Sequence, residues 1–230
     1  MSQFVEKVYK SRKTLLSVLH DRGYDTEGQE KFGPEEIRAA LAANPAGRAL
    51  EFTVKTREGM KTPTPNVRVY IFMMRIKQKL PGFLGSLEPP INASEEQMNT
   101  KNPDKLGSPV DPALTSIVCL INEPVATVFH QASINMWATK RLRLTFFHLD
   151  SFQMNPLKHF AVPPHEIVPA EEHEAMMKSM YITAKTQFPL IRYHEDPITR
   201  VIGCIPGDII KITRPSPSAG EYIVYRVCVP

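Results

Sequence analysis

The stretch DPITRVIGCIPGDIIKITRPSPSAGEYIVYRV, Asp196–Val227, decides the fold of the C-terminal third of the chain. Its opening residues read as a short turn of helix containing Arg200. Gly203 and Pro206-Gly207 then break the chain before the β-branched run Asp208–Arg214. A second run, Glu221–Val227, alternates Tyr222, Val224 and Arg226 on one face with Ile223, Tyr225 and Val227 on the other. The intervening Pro215–Gly220, PSPSAG, is turn chemistry. The spacing predicts a β-hairpin that closes a small mixed sheet. Gly203 and Gly220 are expected at backbone angles that a Cβ would oppose. Lys211, Arg214 and Arg226 are either solvated charges on the outer face of that sheet or partners for carboxylates on a docked protein.

Upstream of this stretch, His165–Val168 reads as a short strand, Ala170–Tyr181 as a helix with Glu171, Glu172 and Glu174 early in it, and Pro189–Tyr193 as a strand. The proline-bearing segment Asn155–Pro164 reads as a linker. It divides the chain into an N-terminal domain, 1–155, and a C-terminal domain, 156–230. The expected class is α+β in two domains: an N-terminal α/β domain and a small C-terminal mixed α/β domain closed by the hairpin.

In the N-terminal domain, residues 4–20 place Val5, Val8, Tyr9, Leu15, Leu16 and Leu19 at helical spacing, with Gly23 as the stop. A second helix opens at Pro34, with Glu35 and Glu36 in its first turn, and ends before Asn44-Pro45. Ile37, Ala40 and Leu41 form its expected buried stripe. Strands follow at Ala49–Lys55 and Val67–Met74, joined by the hairpin loop TREGMKTPTPN. The segment Lys79–Pro112 reads as irregular around one short helix whose capping box is Ser94 and Gln97. Ser116–Ile121 is a buried strand, Val125–Thr139 a helix and Leu142–Leu149 a strand.

The chain has 230 residues, 42% of them hydrophobic and 23% charged, which is ordinary globular composition. Its 21 prolines are dense between Pro63 and Pro169, so loops should be frequent there. No run approaches the roughly 18 apolar residues of a membrane-spanning helix, and residues 1–21 form a charged amphipathic helix rather than a signal peptide, which predicts an intracellular protein. Cys119, Cys204 and Cys228 are far apart in apolar runs and read as buried free thiols of a reducing compartment, without the spacing of a zinc site. Residues 1–155 carry 20 Lys and Arg against 16 Asp and Glu, whereas 156–230 carry 8 of each. The mild positive excess permits contact with nucleic acid without requiring it.

No phosphate-binding loop, dinucleotide fingerprint or nucleophile elbow occurs. A nuclease of α/β type needs a carboxylate two positions before a lysine on one strand, and no lysine of this chain has one. His148, His159, His165 and His173 share no i, i+4 spacing, and Ser216 and Ser218 read as turn-forming hydroxyls. Neither catalytic nor metal-binding residues nor a cofactor is expected.

Asp196-Pro197-Ile198, Arg200, Gly203, Gly207, Ile209–Ile212 with Lys211, Arg214-Pro215-Ser216, Ala219-Gly220, Tyr222 and Tyr225-Arg226 stand in one further pattern. Together with His20-Asp21-Arg22-Gly23-Tyr24 and His165-Glu166-Ile167-Val168-Pro169, they resemble the fifth common subunit of eukaryotic nuclear RNA polymerases, a family that also has archaeal members. The resemblance covers most of the chain, strongly Pro163–Val229 and Val8–Tyr24. It implies a non-catalytic subunit of a DNA-directed RNA polymerase, present in one copy per complex and engaging other polymerase subunits but no membrane. The C-terminal domain would dock on the largest subunit, with Arg200, Lys211, Arg214, Tyr222 and Arg226 as docking residues. Asp196, Pro197, Gly203, Gly207 and Gly220 would carry the structural motif.

The N-terminal domain would be a jaw of nuclease-like fold, without an active site, lying weakly against downstream DNA. Arg22, Pro124 and Thr127 are its DNA-proximal candidates, although the family's Thr-Pro-Ser-Ala turn is replaced here by Glu123-Pro124-Val125-Ala126-Thr127. Archaeal members lack this jaw, so its presence implies a eukaryotic polymerase in the nucleus, with the virion or virus factory of a large DNA virus as second choice. The alternative is a free nucleic-acid-binding or regulatory protein that reuses the same fold.

Overall fold

The structure is a computed structural model, described here for residues 2–43, 50–60, 62–87 and 107–230. Among the described residues it is mixed α+β with two mixed sheets of four strands each. The chain divides into two compact units, residues 1–154 and 155–230.

In the first unit, α1 (Ser2–Asp21) runs the full length of the predicted amphipathic pattern. It ends at Gly23, whose φ of 94° lets its N–H reach the His20 carbonyl at 2.9 Å. The short α2 (Glu27–Glu30) and α3 (Pro34–Ala43) follow. In α3, Ile37 is fully buried, while Ala40 and Leu41 are only half-buried.

Strands β1 (Phe52–Lys55) and β2 (Asn66–Phe72) pair antiparallel. Next, β2 pairs parallel with β3 (Thr115–Ile121), and β3 parallel with β4 (Leu144–His148). The helix before β4, α5 (Thr127–Lys140), ends with Arg141 in the left-handed region.

One face of this sheet, with Tyr70, Phe72, Cys119, Ile121 and Phe146, packs against Leu80, Phe83, Phe129 and Met136. Tyr70 and Phe72 each meet Phe83 edge-to-face, with ring centroids 5.3 and 5.2 Å apart. The opposite face is equally buried through Val67, Val69, Ile71 and Leu120. Phe52 lies on that face opposite Val69, and its ring receives the Arg12 guanidinium of α1 at 4.8 Å, so α1 covers this side. A helix-sheet-helix sandwich results, the expected consequence of parallel strands buried on both faces.

The segment read as irregular from Lys79 contains a helix, α4 (Leu80–Ser86). Pro81 and Gly82 read as breakers, but Pro81 falls in the first turn, where its missing N–H costs nothing. Leu80 and Phe83 anchor the helix in the core. The helix expected around Ser94 and Gln97, and the Ala49 end of the first strand, lie outside the described residues.

In the second unit, β5 (His165–Ile167) pairs antiparallel with β7 (Ile209–Ser216). The long β8 (Gly220–Val229) then pairs antiparallel with β7 and parallel with β6 (Leu190–Arg192). The helix expected over 170–181 opens with a 3-10 turn, Ala170–Glu172, which runs directly into α6 (His173–Ser179). Met176 and Met177 of α6 pack with Val168, Phe188, Ile209 and Val227 into this unit's core.

Candidate functional site

The second unit builds its hairpin from local chemistry. Asp196 caps α7 (Pro197–Ile202), its Oδ1 accepting the N–H groups of Ile198 at 2.8 Å and Thr199 at 3.1 Å. Pro197 occupies the first helical position, and Gly203 closes the helix at φ 88°. Gly207 follows at φ 100° and aims the chain into β7. At the far end Gly220, φ 74°, turns the chain back into β8. The five residues of the structural motif thus set a helix start, a helix stop and two turns. The hairpin extends further than its sequence suggests. Thr213↔Ile223, Arg214↔Tyr222, Pro215↔Glu221 and Ser216↔Gly220 are all in register, and only 217–219 lie between the strands.

Alternation along β7 and β8 assigns the faces. Lys211 shares one face with Tyr225 and Ile209, the face covered by α6. Arg214, Tyr222 and Arg226 share the other with Ile210 and Ile212. Cys204, just after α7, meets Cys228 on this second face, so α7 and its Arg200 lie on the same side as Arg214. Of the five docking candidates, then, the fold gathers four on one side and puts Lys211 on the other. There Lys211 Nζ pairs with Glu166 Oε2 at 3.3 Å.

The four are not equivalent. Arg200 is half-buried in its own unit, and that burial lowers the pKa of its guanidinium, an effect opposed by Asp196. Arg226 donates from Nη1 to the Leu190 carbonyl at 3.1 Å, holding the edge of β6. Tyr222 is 61% exposed. Arg214 is exposed and meets no carboxylate among the described residues. β5 pairs only with residues 210–212 and β6 only with 227–229. From Thr213 to Ile223 the hairpin therefore projects as a two-stranded ribbon without flanking strands. Ile223 is 45% exposed on its other face.

In the first unit, Pro124 and Thr127 are both exposed beside the N-terminus of α5, beyond the carboxyl end of β3. A crevice of about 390 Å³ opens there, lined by Arg75, Lys77, Asn122, Glu123, Pro124 and Ala126. Crevices at the carboxyl ends of parallel strands are where such sheets commonly receive ligands. Sequence reasoning missed Arg75 and Lys77, because nothing in their neighbourhood signals that the β2 and β3 ends are adjacent.

Arg22 is not part of this crevice. Its guanidinium lies 5.6 Å from the Tyr24 ring, and Tyr24 bridges to Thr56, just past the end of β1 that pairs with the start of β2. That is the other end of the sheet, roughly 20 Å away at ~3.3 Å per residue.

Among the described residues no cluster of three His, Cys, Asp or Glu side chains could hold a metal. No described helix is long and apolar enough to cross a membrane. The three cysteines are buried, and none is joined in a disulfide among the described residues.

Comparison with known proteins adds an independent line. Residues 154–228 match the family model for RNA polymerase Rpb5, C-terminal domain. The DNA-directed RNA polymerase subunit Rpo5 of Archaeoglobus fulgidus is 48% identical over 71 residues, 31% of this chain and 91% of that protein. The Pyrococcus horikoshii Rpo5 is 46% identical over 77 residues, 34% of this chain and 92% of that protein. A longer relative, the DNA-directed RNA polymerases I, II, and III subunit RPABC1 of Caenorhabditis briggsae, is 27% identical over 224 residues, 97% of this chain and 96% of that protein. Likeness is thus denser in the unit that carries the hairpin and continues more thinly through the first unit.

Proposed function

The chain belongs to the Rpb5 family of DNA-directed RNA polymerase subunits, and on that premise we propose that it serves transcription as a non-catalytic subunit docked through the projecting hairpin. The observation that carries this reading is the ribbon Thr213–Ile223, exposed on both faces, with the exposed Arg214 beside Tyr222. A two-stranded ribbon is marginal in water, and an exposed arginine next to an exposed aromatic is the composition of an interface centre. The partner is the largest polymerase subunit, which presents a carboxylate to Arg214 in bidentate fashion.

The first unit lies beside downstream DNA, with the crevice at Pro124 and Thr127 as its nearest approach. Arg75 and Lys77 there carry the charge that phosphates require. The protein acts in the nucleus, one copy to each complex, and neither unit contributes a catalytic group. Arg200 and Arg226 support the docking face from within, while Lys211 anchors β5 instead. Purification of the tagged full chain tests this: two very large polymerase chains should accompany it stoichiometrically. Recovery of the chain by itself, or with nucleic acid alone, would favour a free regulatory protein.

A further inference from the structure

Cys204 and Cys228 stand 24 positions apart in sequence, yet their Sγ atoms are 3.4 Å apart. Cys204 leaves the left-handed Gly203 at the end of α7, and Cys228 lies in β8 between β7 and β6. Their exposures are 0% and 1%. Cys119, the third thiol, is buried in the core of the first unit among Tyr70, Phe72 and Phe146.

We propose that Cys204 and Cys228 are a redox-modification site that closes reversibly to an intramolecular disulfide with hydrogen peroxide as oxidant. A disulfide needs about 2.05 Å between the sulfurs, so they have only ~1.4 Å to travel. Both flanks of Cys204 allow that movement: Gly203 precedes it, and the turn over Ile205–Asp208 follows. That turn is held by Ile205 N–H donating to Asp208 Oδ2 at 2.9 Å and by the Gly207 N–H donating to the Cys228 carbonyl at 2.9 Å. Ile205, Pro206 and Asp208 are half-buried and Gly207 is exposed. The thiols therefore sit beneath a thin surface turn, and a small neutral oxidant needs only a local opening to reach them.

One thiolate attacks a peroxide oxygen, the O–O bond breaks, and a sulfenic acid forms with release of hydroxide. The second sulfur then attacks the sulfenic sulfur, and the S–S bond forms as the S–O bond breaks. Overall two thiols and one hydrogen peroxide become one disulfide and two waters: the sulfurs are oxidised, the peroxide oxygens are reduced, and the thiol protons leave in water. The bond would tie the loop after α7 to β8. This inference does not depend on the polymerase reading.

The test uses the full-length protein and its Cys119→Ser variant, treated with hydrogen peroxide, alkylated with N-ethylmaleimide and digested with trypsin. The expected product joins peptide 201–211 to peptide 227–230. Intact mass falls by about 2 Da, dithiothreitol reverses the change, and the Cys228→Ser variant does not show it. The oxidised protein should unfold about 5–10 °C higher than the reduced one. Two alkylatable thiols persisting in the treated Cys119→Ser protein would overturn the proposal. So would oxidation to separate sulfinic acids, linkage only between molecules, or a bonded form that unfolds at lower temperature.

Discussion

Oε1 of Glu123 accepts the backbone N–H of Ile76 at 2.7 Å, and the same oxygen accepts that of Lys77 at 3.0 Å. Glu123 is 8% exposed, and its carboxylate staples the segment after β2 to the segment after β3. Two adjacent parallel strands are thereby held together at their carboxyl ends, under the crevice at Pro124. Glu123→Ala strips two backbone donors of their acceptor, so we expect a loss of about 1–3 kcal/mol, with Glu123→Gln losing less because its carbonyl oxygen can still accept. Urea denaturation measures both, and wild-type stability in the alanine variant would contradict this role.

Glu123 also shows where sequence reading stops. In Glu123-Pro124-Val125-Ala126-Thr127 it looks like one polar residue of an exposed turn, and only the parallel register Phe72↔Ile121 reveals the donors that it satisfies. The hairpin, by contrast, was legible, because β-branched alternation, Gly207 and Gly220 are local signals. So were α1 and α3, whose apolar spacing and end residues act over a single helix. α4 escaped because seven residues carry too few apolar repeats to outweigh Pro81-Gly82. The docking candidates came from the family resemblance; alternation along Asp208–Arg214 already separates Lys211 from Arg214, whereas the pairing register and the position of α7, which bring Arg200 and Arg226 to the side of Arg214, were not legible.

Gly220 holds φ 74°, yet a Cβ there would meet no atom within 4 Å. The substitution Gly220→Ala therefore strains the backbone without a clash, at a cost of about 1–2 kcal/mol. We expect faster amide exchange across residues 213–223 and an intact fold for residues 155–230. Complete unfolding of that unit would show that the ribbon tip supports its core.

Lys7 donates to Asp150, tying α1 to the turn after β4, and this hydrogen bond lowers the pKa of the Asp150 carboxyl. A depressed folded-state pKa contributes stability that is present above the unfolded value, about 3.9, and is lost as pH falls through the lower folded value. Both side chains are partly exposed, so Asp150→Asn should cost under about 1 kcal/mol at pH 7. The gap between the two proteins should close as pH falls below about 4, and a gap that widens in acid would contradict this pairing.

With 20 basic against 16 acidic residues over 1–155, few phosphates can be neutralised. The isolated protein should bind duplex DNA weakly and without sequence preference, with affinity falling steeply as salt rises. Arg75→Ala with Lys77→Ala should flatten that dependence in a fluorescence-anisotropy titration. Tight, sequence-selective binding at physiological salt would instead mark a free regulator.

The central claim is that the ribbon docks the protein on a polymerase, and the most direct measurement compares tagged full chains carrying Arg214→Glu or Tyr222→Ala with the wild type. Both residues are exposed outside the core, so both variants should match the wild type in thermal unfolding. We expect wild type to recover the largest polymerase subunit stoichiometrically and the Arg214→Glu variant to recover about tenfold less, the range of one lost charge-assisted contact at an interface centre. Full recovery of the largest subunit by both variants, with their folds intact, would contradict the account.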